Sequence, residues 1–178
     1  MGLDPKNLTI TGELAFRIKR NFSRLEDKMY RPEQIFGADQ NGWPGDWEGR
    51  TILALALEEA VTHRKAAFLE DNYAALEKEW NEKGYLKEVY PEGIFNEQQL
   101  SGHNWLLRGL MAVYDNTGEE KYADRVKHII KELYLPVAGH YREYPLDPAL
   151  RSKGGAEAGN IEGNAINGWM LSTDIGCA

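Results

Sequence analysis

An all-α fold of helical hairpins, packed side by side into a double layer or ring, is predicted by the order of apolar patterns along this chain. Residues 51–61 are apolar almost all the way round a helix, and so are residues 100–114 apart from Ser101, His103, Asn104 and Arg108. A helix that is apolar on every side belongs inside a larger body. The neighbouring segments instead carry single stripes, Leu69, Tyr73, Leu76 and Trp80 in one and Tyr122, Val126, Ile129 and Leu133 in the other, with charges opposite. Those are outer helices. The connections complete the pattern. Inner-to-outer links (63–67 and 116–119) are short, whereas outer-to-inner links (37–47, 84–96 and 136–167) are long and rich in Gly, Trp, Tyr and Asn. Loops of that length in a compact domain are usually functional or disordered. All three are expected at one end, above the N-termini of the inner helices, and a site is expected there.

Each element has its own signals. Thr11 can cap a first helix with Leu14, Ile18, Phe22 and Leu25 on one face, and Arg31-Pro32 marks a break after Met29. Asp46 can cap the second helix, with Glu48 in its first turn favoured by the helix dipole. A third helix is expected over 68–83, with Gly84 as its C′ residue. Asn96 caps the fourth, with Glu97 just inside. The Asn116-Thr117-Gly118 turn leads into a fifth, which ends before Pro136. Residues 137–144 could be extended, 153–163 read as a glycine-rich loop, and a sixth helix starts near Ala165. No strand signal stands out.

The 178 residues suit one domain with a real core. We read residues 1–178 as a single α-helical domain, incomplete at its C-terminus. No run approaches the roughly 18 apolar residues of a membrane span. Residues 1–10 lack the apolar centre of a secretory signal, leaving a cytoplasmic protein or one whose signal was removed as alternatives. The single Cys177 permits no internal disulfide, and no metal or other cofactor is expected. A net charge of −7 argues against nucleic acid, which wants a basic face. An acidic surface rich in aromatic residues suits neutral sugars better than polyanions.

Three segments carry a family resemblance: Gly45-Asp46-Trp47-Glu48-Gly49-Arg50, Leu100-Ser101-Gly102-His103-Asn104-Trp105-Leu106-Leu107-Arg108-Gly109-Leu110, and Tyr114-Asp115-Asn116-Thr117-Gly118-Glu119. Together they resemble the (α/α)6-toroid glycoside hydrolases, most closely the β-L-arabinofuranosidase-type proteins and more distantly the unsaturated glucuronyl hydrolases. The likeness runs over 12–178 and corresponds to about half of a full (α/α)6 barrel. It implies an O-glycosyl hydrolase acting on sugars derived from plant or microbial polysaccharides. The zinc-bound cysteine cluster of the arabinofuranosidases has no counterpart here, so fold and ligand class are implied rather than mechanism.

Glycoside hydrolysis needs two carboxyl groups across the bond. Asp46, Glu48, Glu92, Glu97, Glu143, Asp147, Glu157, Glu162 and Asp174 lie in or beside the long loops. Asp46 is the first catalytic candidate, with a plain helix cap as its competing role. Glu162 and Asp174 follow, weighed against ordinary solvated carboxylates. His103, Asn104 and Trp105 are polar-bearing residues early in an otherwise apolar helix. Their polar groups need partners, either sugar hydroxyls or the backbone of a neighbouring loop. Trp43, Trp47, Trp105, Tyr85, Tyr90 and Tyr144 form an aromatic rim able to stack on the C–H faces of sugars, while any one of them could instead be core beneath a loop. Trp80 and Trp169 fall on expected helices and read as core. Arg50 and Arg108 each stand next to a glycine, and each is expected to anchor a loop carboxylate such as Glu48 or Glu143. The substrate-binding set is therefore Trp43, Trp47, Arg50, His103, Asn104, Trp105 and Tyr144.

Two other classes compete with the enzyme. A non-catalytic carbohydrate-binding or scaffold protein would keep the aromatic rim without a working carboxylate pair, and a helical-repeat module would have more regular loops. The apolar side of the last inner helix, around Ile166, Trp169 and Met170, is expected to be covered by a second copy or by further chain.

Overall fold

The computed structural model describes residue 7 and residues 9–37, 43–91 and 96–138, and every regular element within them is helical. In chain order these are α1 (Gly12–Leu25), α2 (Pro32–Ile35), α3 (Asp46–Thr62), α4 (Leu69–Leu76), α5 (Glu97–Thr117) and α6 (Glu120–Ile129). The all-α expectation is met. A lone antiparallel bridge between Trp80 and Leu86 is the sole strand-like pairing among the described residues.

α3 and α5 form the central pair, but the described elements do not enclose them on every side as their apolar patterns predict. α3 lies along α5, α6 packs on the far side of α5, and α1 and α4 flank α3. Ile52, Leu55, Leu100, Leu106, Leu107 and Leu110 are buried between them, each leucine or isoleucine worth roughly 1.5–3 kcal/mol when taken out of water. Glycine decides how near α3 and α5 come. A Cβ on Gly49 would overlap the backbone of Trp105 and Leu106, one on Gly102 would overlap the carbonyl of Pro44, and one on Gly109 would stand 2.8 Å from the oxygen of Gly49. The two inner helices therefore touch backbone to backbone along a seam where no side chain fits.

The outer helices depart from expectation in instructive ways. α4 stops at Leu76 rather than running to residue 83. Asn81 causes the departure. Its side chain accepts from the N–H groups of Lys83 and Tyr85 at 2.9 and 3.2 Å and donates to the Lys87 carbonyl at 2.7 Å. These bonds offer the backbone an alternative to the helix. Gly84, with φ +77°, serves the turn after Asn81 and is not a helix C′ residue. Trp80 consequently lies beyond α4, half-buried, with the Arg125 guanidinium 4.5 Å from its ring. α6 passes into a π turn over Ile130–Tyr134 and a 3-10 turn over Leu135–Val137, so Pro136 falls within the tail of this element. In α1 only the C-terminal half reaches the core, through Phe22 and Leu25, while Leu14 is 58% exposed. Asn21 ties that half to α3 by donating to the Glu58 carboxylate at 2.6 Å.

One face of the inner pair is left open by the described elements. It carries Arg50 and Leu57 on α3, the latter 48% exposed, and Arg108 and Asp115 on α5. None of the described helices is long and apolar enough to cross a membrane. The expected glycine-rich loop and sixth helix lie outside the described residues, as does the stretch 137–144 beyond Ala138.

Candidate functional site

Two loops meet at the N-terminal ends of α3 and α5, as the connection lengths predict. The first is the short stretch Trp43-Pro44-Gly45. Gly45 adopts φ +91°, a conformation that favours glycine, and a Cβ there would come within 3.0 Å of the Gly102 and His103 backbone. It is the N-cap of α3. The expectation that Asp46 caps this helix is therefore corrected: Asp46 is the first helical residue, and its side chain turns to Arg50 instead. Half of a capping box survives, because the Glu48 carboxylate accepts from the Gly45 N–H at 3.1 Å while a glycine has no side chain to reciprocate. Glu48 is buried, and burial pushes its carboxyl up from the ordinary value against the pull of its own and the Gly45 N–H groups. This carboxylate, a loop candidate in the sequence, is occupied with the helix start.

The second loop runs from Asn81 to Pro91 and is held to the first turns of α5. Asn96 caps α5 as predicted, accepting from the N–H groups of Gln98 and Gln99 at 2.9 and 3.2 Å. Its amide also donates to the Tyr90 hydroxyl at 3.1 Å. Gln99 donates to the carbonyls of Leu86 and Glu88 at 2.8 and 2.9 Å. The Leu86 N–H donates to His103 Nε2 at 2.9 Å, and His103 Nδ1 lies 2.7 Å from the Gln99 carbonyl. The pair of contacts sets the tautomer, with the proton on Nδ1. His103 has no exposed surface, and burial pulls its pKa down to about 4. Assigning His103 to substrate binding is therefore corrected. Both its nitrogens are spent on backbone, the second of the two partners the sequence left open. Asn104 is buried as well. Tyr85, expected on the aromatic rim, is instead a core residue packed edge-on to His103 with centroids 6.0 Å apart.

What remains accessible sits on the open face. Arg50 pairs with Asp46 at 3.0 Å, not with Glu48, and its guanidinium lies 4.1 Å from the centre of the Trp105 ring. The Arg108 guanidinium is 4.7 Å from the same indole. Trp105 is half-buried with its Nε1 turned inward. Trp43 and Trp47, just before and just inside the start of α3, are half-buried too. Of the residues expected from the sequence, then, Asp46, Arg50, Trp105, Trp43 and Trp47 belong to one end of the inner pair. His103 and Asn104 are interior, and Glu162, Asp174 and Tyr144 lie outside the described residues. Arg108 is the addition. It was expected to be buried against a loop carboxylate and is exposed instead, and its position three residues after Trp105 on one helix face was the signal that could have found it.

A scan against family models, a search of curated proteins and a search of solved structures each returned no match. The reading of this site consequently rests on its own chemistry. A carboxylate held by an arginine, a cation-covered indole and two further tryptophans form a polar and aromatic surface able to hydrogen-bond and stack on a small polar ligand. Among the described residues no three His, Cys, Asp or Glu side chains converge as a metal site would require.

Proposed function

We propose that the chain is a carbohydrate-active protein of α/α-toroid type, an O-glycosyl hydrolase whose site lies at the N-terminal end of α3 and α5. The observation that carries this reading is the line Asp46–Arg50–Trp105, a positioned carboxylate, guanidinium and indole within contact of one another beside the N-terminal ends of α3 and α5. Asp46 is then one carboxyl group of the pair, with Glu162 or Asp174 as the other. Sugars offer C–H faces to the tryptophans and hydroxyls to Asp46 and Arg50. A non-catalytic sugar-binding protein is the second reading, favoured by the Asp46–Arg50 ion pair, which suits a ligand-holding carboxylate as well as a reacting one. Reducing-sugar release from a panel of plant and microbial oligosaccharides, compared between wild type and Asp46→Asn, Glu162→Gln and Asp174→Asn, tests both. The enzyme reading expects turnover in the wild type and its loss by orders of magnitude in Asp46→Asn, with binding retained. Binding without turnover in the wild type leaves the second reading standing, and a panel that is neither bound nor cleaved overturns both.

A further inference from the structure

A cavity of about 350 Å³ lies at the opposite end of the inner pair, between the C-terminal parts of α3 and α5, α4 and the start of α6. That size suits a small molecule. Leu69 and Val113, both buried, give it an apolar lining, and Tyr73 and Tyr122 form one wall, their rings edge to face with centroids 4.6 Å apart. Its rim carries the carboxylates of Glu59, Glu70 and Glu119 and the ammoniums of Lys65 and Lys121. Lys65 pairs with Glu70 at 2.8 Å and Lys121 with Glu119 at 2.7 Å. Glu59 is left over. It is half-buried, and one of its oxygens accepts from the Ala66 N–H at 2.8 Å, which holds the carboxylate in place. No cation among the described residues forms an ion pair with it. Lys65 is within electrostatic reach, but it is exposed beside Glu70, where water screens it. The Arg64 guanidinium, the other cation near Glu59, is engaged by Glu26 at 2.9 Å. The cavity therefore holds one uncompensated negative charge beside an aromatic pair.

We infer that this cavity binds a small organic ammonium ion, with Glu59 as its counter-ion and the Tyr73–Tyr122 pair as the wall against which its charge rests. The wall already hosts such a group: the Lys121 Nζ lies 5.4 Å from the centre of the Tyr73 ring and 4.8 Å from that of Tyr122. The faces of such rings attract cations, and an ionised carboxylate accepts N–H bonds from an ammonium more strongly than from a neutral donor. An anion would meet the surplus carboxylate, and a neutral molecule would leave it unanswered. Leu69 and Val113 offer apolar surface to the carbon body of the ligand, which favours an aryl- or alkylammonium over a bare metal ion. The carbohydrate reading concerns the other end of the inner pair, and the two stand or fall separately.

Amide NMR of the full chain, titrated separately with benzylammonium, benzyl alcohol and benzoate, tests the inference. Benzylammonium should shift the amides of residues 65–73 and 113–122. It should bind roughly ten- to hundredfold more tightly than benzyl alcohol, as a hydrogen bond to a charged group predicts, and benzoate should bind no better than the alcohol. Glu59→Gln, which keeps an acceptor for the Ala66 N–H, should erase that preference. Lys121→Gln takes the resident cation off the tyrosine pair and should tighten benzylammonium severalfold, a second arm that holds even if the Glu59 variant does not fold. Equal binding of the alcohol, shifts confined to the N-terminal ends of α3 and α5, or a preference that survives Glu59→Gln would overturn the inference. So would unchanged or weaker benzylammonium binding in Lys121→Gln, or no binding at all.

Discussion

The two inner helices begin in opposite ways. At the start of α5, Asn96, Gln99 and His103 turn every hydrogen-bonding side-chain position with a described bond toward backbone or the neighbouring loop. At the start of α3, Glu48 alone is turned inward, while Asp46 and Arg50 pair on the surface beside Trp105. The first junction is a clamp and the second is a presenting surface. Polar residues at the head of a buried helix thus divide by what is left for them to bond. Where a loop lies across the helix they are consumed as scaffold, and where the helix edge is open they remain available.

Changes at the shared seam should have the largest effect, because they shift both junctions at once. Gly49→Ala adds a methyl where the backbone of Trp105 and Leu106 already stands. The expected cost exceeds roughly 3 kcal/mol, beyond the gain of up to about 1 kcal/mol in helix propensity. Urea denaturation should show a variant that is largely unfolded, and a wild-type midpoint would show that the two helices can part without penalty.

Next in size comes the clamp. His103→Ala strands the Leu86 N–H and opens a cavity, with a cost of about 3 kcal/mol expected. Limited proteolysis should then cut within residues 81–91 before it cuts elsewhere. Cleavage first at the α3 end would contradict the division drawn here.

The same histidine gives the clamp a pH dependence. Its folded value of about 4 lies below the unfolded value of 6.5, so the unfolded chain binds more protons between the two. Stability should rise with pH across that window and level off above it, by an amount on the order of 3 kcal/mol. The gap between wild type and His103→Ala should therefore narrow as the pH falls from 6.5 toward 4. A gap that stays constant would mean the ring is charged in the folded state.

Glu48 works in the other direction. Its folded value is raised above 4.5, so above that point the folded chain binds the additional proton and stability falls as the pH rises through the window. Glu48→Gln, which can still accept from the Gly45 N–H, should be the more stable protein at neutral pH, an advantage that vanishes below the carboxylate range. Thermal melts at both ends of the range measure it. Smallest of all should be Asp46→Ala, where an exposed i,i+4 pair contributes less than about 0.5 kcal/mol. A loss comparable to that of His103→Ala would make Asp46 part of the scaffold.

Much of the helical frame could be read in advance, because α6 keeps the single apolar stripe of an outer helix, while α3 and α5 bury most of their apolar sides and leave open only the face of Arg50, Leu57 and Arg108. The end of α4 could not. Trp80 continues the stripe of Leu69, Tyr73 and Leu76 at the correct spacing, and only the side chain of Asn81, reaching forward to Lys87, shows why the helix has already stopped. The candidate site was legible as one end of the helix pair, and the partners of its side chains were not. His103 looked like a ligand contact because its partner is the backbone of a residue 17 positions away, and backbone leaves no trace in side-chain identity. Arg108 looked buried because apolar residues surround it in sequence, while its outward direction depends on which side of α5 the other helices cover.

The glycine seam carries a consequence for how this protein can change. Helices separated by side chains can slide or tilt as residues of different size replace one another, and the geometry drifts with the sequence. Where main chain rests on main chain, at Gly45, Gly49, Gly102 and Gly109, there is nothing to exchange. The relative height of the two helix starts is then invariant, like a fixed jaw spacing. Sequence change would be expected to alter what is mounted on the jaws, residues such as Asp46, Arg50, Trp105 and Arg108, and not to move the jaws themselves.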